Sequence, residues 1–341
     1  MRRIALVRLT ALGDVIHTAA SLQFIKAAFP DIHITWFVEE KFSEILRHNP
    51  HIDAIVPLDL HSLKKERSLA KIRSIVRSIR EAGPFDLVID VQGLIKSAIV
   101  ARLAGSDIAG LDRESAREGI ASLLYRHRYP VDCAEIAPMR FARLIAQALG
   151  GEISPEMMER KAPYLFCDPA RDRRGLDEFF DSRRPNVLII TAASNSSKTY
   201  PPERWIEVIR GLEGSNVLLV AGSEAERQEA GRIADATQAR LLPPTDLDGL
   251  KYAVSRSDLL IGGDTGPSHI AWAMNRPSIL LFGSTPRTMM FETERNIALT
   301  SGAPVHPCRF DKSDRSLATI EPGKIVESAR NLLDGIIKKS Y

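Results

Sequence analysis

The stretch Ile4-Ala5-Leu6-Val7-Arg8-Leu9-Thr10-Ala11-Leu12-Gly13-Asp14 opens the pattern that the rest of the chain repeats. Residues 4–7 form an apolar run too short for a helix, and it reads as a buried strand. A loop with a single glycine follows, and a helix-length segment then runs over 15–28. Strand, loop and helix in this order begin a parallel sheet covered by helices. The same alternation predicts strands over 34–38, 54–56 and 87–90, with helices over 63–81 and 96–103. A second series predicts strands over 187–191, 217–221, 259–262 and 279–282. Between the two series, Gly150-Gly151-Glu152-Ile153-Ser154-Pro155 is punctuated like a linker. The expected fold is therefore α/β, with two Rossmann-like doubly wound domains facing each other across a cleft. Their expected extents are 1–155 and 170–320, with a C-terminal segment over 321–341 packing back toward the first domain. Within that segment Ile325, Val326, Ala329, Leu332, Leu333 and Ile336 recur at helical spacing. Ligands of such sheets bind beyond the carboxyl ends of the strands, so the loops at those ends carry the search for chemistry.

A chain of 341 residues suits two domains, and 44% hydrophobic with 26% charged residues is a globular balance. No stretch approaches the roughly 18–20 apolar residues that cross a bilayer. The N-terminal Met1-Arg2-Arg3 resembles a signal-peptide start, but Arg8 interrupts the apolar run after four residues. Cys133, Cys167 and Cys308 form no metal-type spacing. The net charge of +3 is uneven: residues 1–150 carry 21 Lys/Arg against 17 Asp/Glu, leaving 25 against 26 for the remainder. The N-terminal half is thus the expected docking face for an anionic partner. Nucleic acid is excluded as that partner, because aromatic residues are only 6% and none interleaves with the basic segments.

Three loops concentrate polar residues at the expected strand ends. In the first, Gly13 permits a tight turn and Asp14 stands at a helix start, where it serves either as a helix cap or as a base facing the cleft. The second, Gly262-Gly263-Asp264-Thr265-Gly266-Pro267-Ser268-His269, leaves backbone N–H groups uncrowded before a helix, a setting for a pyrophosphate or an ordinary capped turn. The third, Thr191-Ala192-Ala193-Ser194-Asn195-Ser196-Ser197-Lys198, is small and polar and ends in a lysine suited to a departing diphosphate. Asp246 reads as the cap of a following helix. Over 63–81, Lys64, Lys65, Arg67, Lys71, Arg73, Arg77 and Arg80 oppose an apolar stripe, forming either a solvated face or a surface that meets phosphates and carboxylates. Arg113, Arg117, Arg126 and Arg128 add a second basic cluster.

LTALGDVIHT at 9–18 and GGDTGPSH at 262–269 resemble the ADP-heptose:lipopolysaccharide heptosyltransferases, glycosyltransferase family 9. WFVEE at 36–40, DVQGLIKSA at 90–98 and AREGIASLLYRHR at 116–128 resemble the type I branch of that family, lipopolysaccharide heptosyltransferase I. The likeness spans essentially the whole chain. It implies a two-domain GT-B fold, no metal, no cofactor, and inversion at the anomeric carbon. It implies an ADP-heptose donor, and as acceptor the first Kdo of Kdo-lipid A in inner-core biosynthesis. It also implies a cytoplasmic enzyme, peripheral at the inner face of the inner membrane, with no transmembrane segment. By matching positions, Asp14 is the general base beside Gly13 on the acceptor side, and Lys198 is the lysine of the donor-phosphate loop. Asp264, Thr265 and Gly266 match the diphosphate loop, and His269 a residue near the heptose. Ser194, Glu226 and Thr245 fall where the family contacts the nucleoside, and Lys64, Lys65, Arg67 and Arg117 on the acceptor side. Ser196-Ser197 replaces acidic residues, Thr245 replaces a bulkier apolar one, and HSLKKERS at 61–68 replaces a more arginine-dense run. A sister transferase adding a second heptose or another sugar shares these motifs. A Rossmann oxidoreductase would need the three-glycine loop that 9–14 lacks, and a non-catalytic lipid A-binding protein would not need Asp14 and Lys198.

Overall fold

The computed structural model describes residues 2–66, 68–193, 195–308 and 311–339, excluding the side chains of Lys64, Lys65 and 336–339. The chain divides into two compact units, Met1–Leu165 and Phe166–Tyr341.

In the first unit, β1 (Arg3–Val7), α1 (Leu12–Ala19), α2 (Leu22–Ala28), β2 (His33–Glu39), α3 (Glu40–Leu46) and β3 (Ala54–Leu58) lead to α4 (Leu60–Glu66) and α5 (Leu69–Glu81). They are followed by β4 (Leu87–Asp90), α6 (Ile95–Ala104), β5 (Ile108–Leu111), a 3-10 turn over Gly119–Leu124, β6 (His127–Tyr129), α7 (Ala137–Leu149) and α8 (Pro155–Glu159). The strands form a parallel sheet in the order β3-β2-β1-β4-β5-β6. Ile4 pairs with Ile34 on one side and Leu87 on the other, which places β1 at the centre. Central parallel strands are covered on both faces, which is why 4–7 and 87–90 are unbroken apolar runs up to Asp90.

Two expected helices are each divided. The segment over 15–28 breaks between α1 and α2, where the Thr18 hydroxyl donates to the Asp14 carbonyl at 2.7 Å and Ser21 to the Thr18 carbonyl at 2.8 Å. Hydroxyls that bond locally to carbonyls compete with the helical ladder. The segment over 63–81 is divided between α4 and α5, and Ser68 caps α5 by accepting from the Lys71 N–H. The expected linker likewise has local causes. Gly150, with φ of +76°, closes α7, and Ser154 caps α8 with Pro155 as its first residue. Tyr164 and Leu165 are still buried, so the first unit runs on to Leu165.

The second unit repeats the plan. After α9 (Arg174–Asp177) come β7 (Asn186–Ile190), α10 (Pro202–Gly211), β8 (Asn216–Val220), α11 (Glu224–Asp235), β9 (Arg240–Leu241) and α12 (Leu247–Arg256). Then follow β10 (Leu259–Gly263), α13 (Ile270–Ala273), β11 (Ser278–Phe282), β12 (Asn296–Thr300) and α14 (Pro322–Lys339). The parallel order is β12-β11-β10-β7-β8-β9. Ile325, Ala329 and Leu333 of α14 join Trp205 and Ile209 of α10 in this unit's core. Arg330 donates to the Gly211 carbonyl at 2.7 Å, and a Cβ on Gly211 would come within 2.6 Å of Val326. Val326 and Leu332 pack against the same core.

Candidate active site

In an open parallel sheet the loops part where the strand order reverses, and ligands enter there. In the first unit that point lies between β1 and β4. The loop after β1 is held from the β4 side: Gln92 accepts from the Leu9 N–H at 2.8 Å and the Thr10 N–H at 3.2 Å. Gln92 also donates to the Thr10 hydroxyl at 3.2 Å. Below it, the buried Asp90 carboxylate accepts from Tyr125 (2.7 Å), Ser97 (2.8 Å) and the Gln92 N–H (2.9 Å). Burial pushes the Asp90 carboxyl above the usual range, and these bonds oppose the shift without cancelling it.

Asp14 is the third residue of α1, not its N-cap. Its Oδ2 accepts from the Ala11 N–H at 3.3 Å and pairs with Arg8 Nη2 at 2.5 Å. Arg8 is itself buried, donates to the Val91 carbonyl at 2.8 Å and lies over the Phe141 ring. Both contacts of Asp14 use Oδ2, and its side chain keeps 27% exposure. The carboxylate is therefore anchored through Oδ2. Gly13 lies beside it in the first turn. Arg117 is exposed on the segment after β5, next to Glu118, which accepts from the Ile95 N–H at 2.7 Å. Arg67 and the Lys64 and Lys65 side chains lie outside the described residues.

In the second unit the order reverses between β7 and β10, and the lysine and DTG loops follow those two strands. Lys198 Nζ lies 2.6 Å from Asp264 Oδ2 and 3.2 Å from the Asp264 carbonyl, while His269 Nε2 lies 3.1 Å from Oδ1. Burial alone would raise the Asp264 carboxyl, but the His269 hydrogen bond and the Lys198 charge outweigh it. They hold the group well below the usual carboxylate range. The glycines before it permit close approach, since a Cβ on Gly263 would come within 2.7 Å of the Lys198 carbonyl. A Cβ on Gly262 would come within 2.6 Å of Ser268 Oγ. Thr265 is the N-cap of a 3-10 turn over Gly266–His269, which leads into the short α13. A short helix carries less dipole, so side-chain charge matters more here.

The remaining donor candidates follow the neighbouring strands. Glu226 follows β8 and closes a capping box with Ser223: its Oε2 accepts from the Gly222 and Ser223 N–H groups, both at 2.9 Å. Thr245 follows β9 and lines a cavity of about 360 Å³ with Arg171, Arg173, Pro243, Pro244 and Asp246. Asp246 caps α12 as expected, accepting from the Gly249 N–H at 2.8 Å. Ser194 lies outside the described residues. Among the described residues, no group of three or more His, Cys, Asp and Glu is placed to hold a metal ion, and no helix is long and apolar enough to cross a membrane. Sequence reasoning assigned no role to Arg8 or Gln92. Arg8 directly follows an apolar run, whereas Gln92 lies two residues beyond Asp90 and carries no comparable signal.

Residues 72–314 match the model of glycosyltransferase family 9 (heptosyltransferase). The chain is similar to lipopolysaccharide heptosyltransferase 1 of Pseudomonas aeruginosa, with 34% identity over 90% of this chain and 86% of that one. It is also similar to lipopolysaccharide heptosyltransferase 1 of Campylobacter coli, with 31% identity over 97% and 98%. Among solved structures it resembles E. coli heptosyltransferase WaaC with ADP, at a TM-score of 0.78 and 26% identity over 97% of this chain and 99% of that one.

Proposed function

This chain belongs to glycosyltransferase family 9, the heptosyltransferases, and from that membership we propose its full reaction: metal-independent, inverting transfer of heptose from ADP-heptose to the first Kdo of Kdo-lipid A. It is a glycosyltransferase of lipopolysaccharide heptosyl transfer. The observation that carries the finer reading is the Lys198–Asp264–His269 cluster at the strand-order reversal of the second unit. A leaving diphosphate needs a cation and amide dipoles held in place before charge develops. Buried Asp264 fixes the lysine ammonium, and the turn at Gly266 offers its backbone N–H. The nucleoside then extends along the strand ends toward Glu226 and Thr245, one and two steps of about 4.8 Å from β7. Ser194 and His269 complete the donor contacts in this reading.

The first unit supplies the other half of the displacement. Asp14 Oδ1 takes the proton of the Kdo hydroxyl as that oxygen bonds to the anomeric carbon. The bond from that carbon to the diphosphate oxygen breaks, and ADP leaves toward Lys198. A single displacement from the face opposite the leaving group inverts the configuration. Gly13, Arg117, Lys64, Lys65 and Arg67 lie on the acceptor side in this reading, which puts the enzyme at the cytoplasmic face of the inner membrane.

Incubating the protein with ADP-heptose and Kdo-lipid A should add one heptose by mass, with inverted configuration by NMR and undiminished rate in EDTA. Transfer only to an already heptosylated acceptor would replace this reading with the sister reaction. Lys198→Ala should weaken ADP binding and slow transfer together. Calorimetric affinity and turnover equal to the parent protein would remove Lys198 from the site.

A further inference from the structure

Large apolar side chains left in water tend to cluster where another surface covers them. Among the described residues nine are strongly exposed, and seven of these lie on one layer of the first unit. They are Leu69 and Ile72 on α5, Ile95 and Ile99 on α6, and Ile120, Leu123 and Leu124 on the 3-10 turn. The layer is continuous beneath them. Ile79 of α5, Ala98 and Ala101 of α6 and Ala121 of the turn all enter the same core against β1, β4 and β5. The outward positions follow from helical spacing. Residues 95 and 99 are four apart on α6, and 120 and 123 are three apart on the 3-10 turn, so each pair shares a side.

The charges on this layer have one dominant sign. Arg73, Arg80, Lys96, Arg102 and Arg126 are exposed among the apolar residues. Of the exposed acids, Glu81 pairs with Arg77 and Glu118 holds the α6 N-terminus through Ile95. The layer also reaches the catalytic edge of the sheet. Ile95 begins α6 just after Gln92, which holds the loop leading to Asp14. Apolar side chains mixed with cations match a surface that offers acyl chains beneath anionic headgroups.

We propose that α5, α6 and the Gly119–Leu124 turn form a docking face for an anionic lipid bilayer, with Ile95, Ile99, Ile120 and Leu123 entering the headgroup region. This rests on the proposed lipid-anchored acceptor. A face beginning beside the acceptor edge brings the headgroup to Asp14 while the acyl chains stay in the membrane.

The test uses the full chain, sedimented with vesicles of phosphatidylcholine alone or mixed with phosphatidylglycerol. The protein should bind the mixed vesicles, and binding should fall with salt. The double variant Ile120→Ser/Leu123→Ser should bind both vesicle types about tenfold more weakly. Arg73→Gln/Arg80→Gln should lose the preference for phosphatidylglycerol. Both variants should keep the parent rate on a water-soluble acceptor stripped of its acyl chains and lose rate on vesicle-embedded acceptor. Vesicle binding unchanged by the Ile120/Leu123 pair would overturn the docking face. So would a solution dimer, seen by light scattering, that this pair dissolves. If the parent protein transfers heptose to neither acceptor, the proposed reaction fails, and the vesicle measurements still decide the docking face.

Discussion

At the scale of single residues, each unit has a carboxylate beside a cation at its strand-order reversal, but the two are buried differently. Asp14 is part-exposed and anchored through one oxygen by buried Arg8, whereas Asp264 is fully buried between Lys198 and His269. In the proposed reaction the first arrangement leaves Oδ1 facing the acceptor hydroxyl, and the second holds a fixed counter-charge. Asp14→Asn keeps the size and a partner for the Ala11 N–H but removes the proton acceptor. Turnover should fall by about 10²–10⁴ with ADP affinity retained, and steady-state kinetics with near-parent turnover would reduce Asp14 to an anchor for Arg8. Asp264 makes a stability prediction. Its folded-state pKa is depressed, so its contribution is present above the unfolded value near 3.9 and is lost as pH falls toward the folded value. Asp264→Asn should cost about 3 kcal/mol at neutral pH, and the difference from the parent in urea unfolding should shrink as pH drops below about 4. A pH-independent difference would mean the charge is not what the site stabilises. The sequence shows the members of these clusters but not their pairing. Lys198 and Asp264 are 66 residues apart and Leu9 and Gln92 are 83 apart, and only the strand order brings them together. Glu226 was legible in two ways, since Ser223-Glu224-Ala225-Glu226 is also a capping-box pattern.

At the scale of elements, burial on both faces decides which strands can be read. The central strands β1, β4, β7 and β10 carry unbroken apolar runs that periodicity detects. The strands that were not anticipated are β5 and the edge strands β6, β9 and β12. Edge strands are short or polar because one side lacks a partner, and β9 is only Arg240–Leu241. β5 is interrupted by Gly110, where a Cβ would come within 2.5 Å of the Tyr125 ring, so packing placed a poor strand former there. The same close packing governs the lysine loop. A Cβ on Gly263 meets the Lys198 carbonyl, a backbone atom that cannot rotate away. Gly263→Ala should therefore displace that loop, cost about 1–3 kcal/mol and weaken ADP binding. Gly323→Ala on α14, with no atom near the added methyl, should do neither. Equal ADP affinity in both variants would show that the loop's position does not govern the donor site.

At the scale of the whole molecule, each unit has its own sheet and core and repeats the strand order 3-2-1-4-5-6, reading each sheet from its own first strand. The alternation along the sequence made two doubly wound units legible, because each loop–helix crossover is local. The boundary was not, because Gly150 and Ser154-Pro155 punctuate helices inside the first unit. The proposed division of labour between the units is matched by the charge distribution. Residues 1–150 hold the positive excess, 21 against 17, and the rest is nearly balanced at 25 against 26. If the first unit receives an anionic lipid headgroup, removing a cation there should act on the acceptor alone. Arg117→Ser should raise the acceptor KM about fivefold, since one basic residue near such a surface contributes about 1 kcal/mol. The KM of the parent should climb with salt over the range in which the Debye length shrinks from about 10 to 3 Å, and the variant should show a flatter climb. Calorimetric ADP affinity should stay at the parent value. Loss of ADP affinity with an unchanged acceptor KM would reverse the assignment of the two units, and it would move the donor to the basic half of the chain.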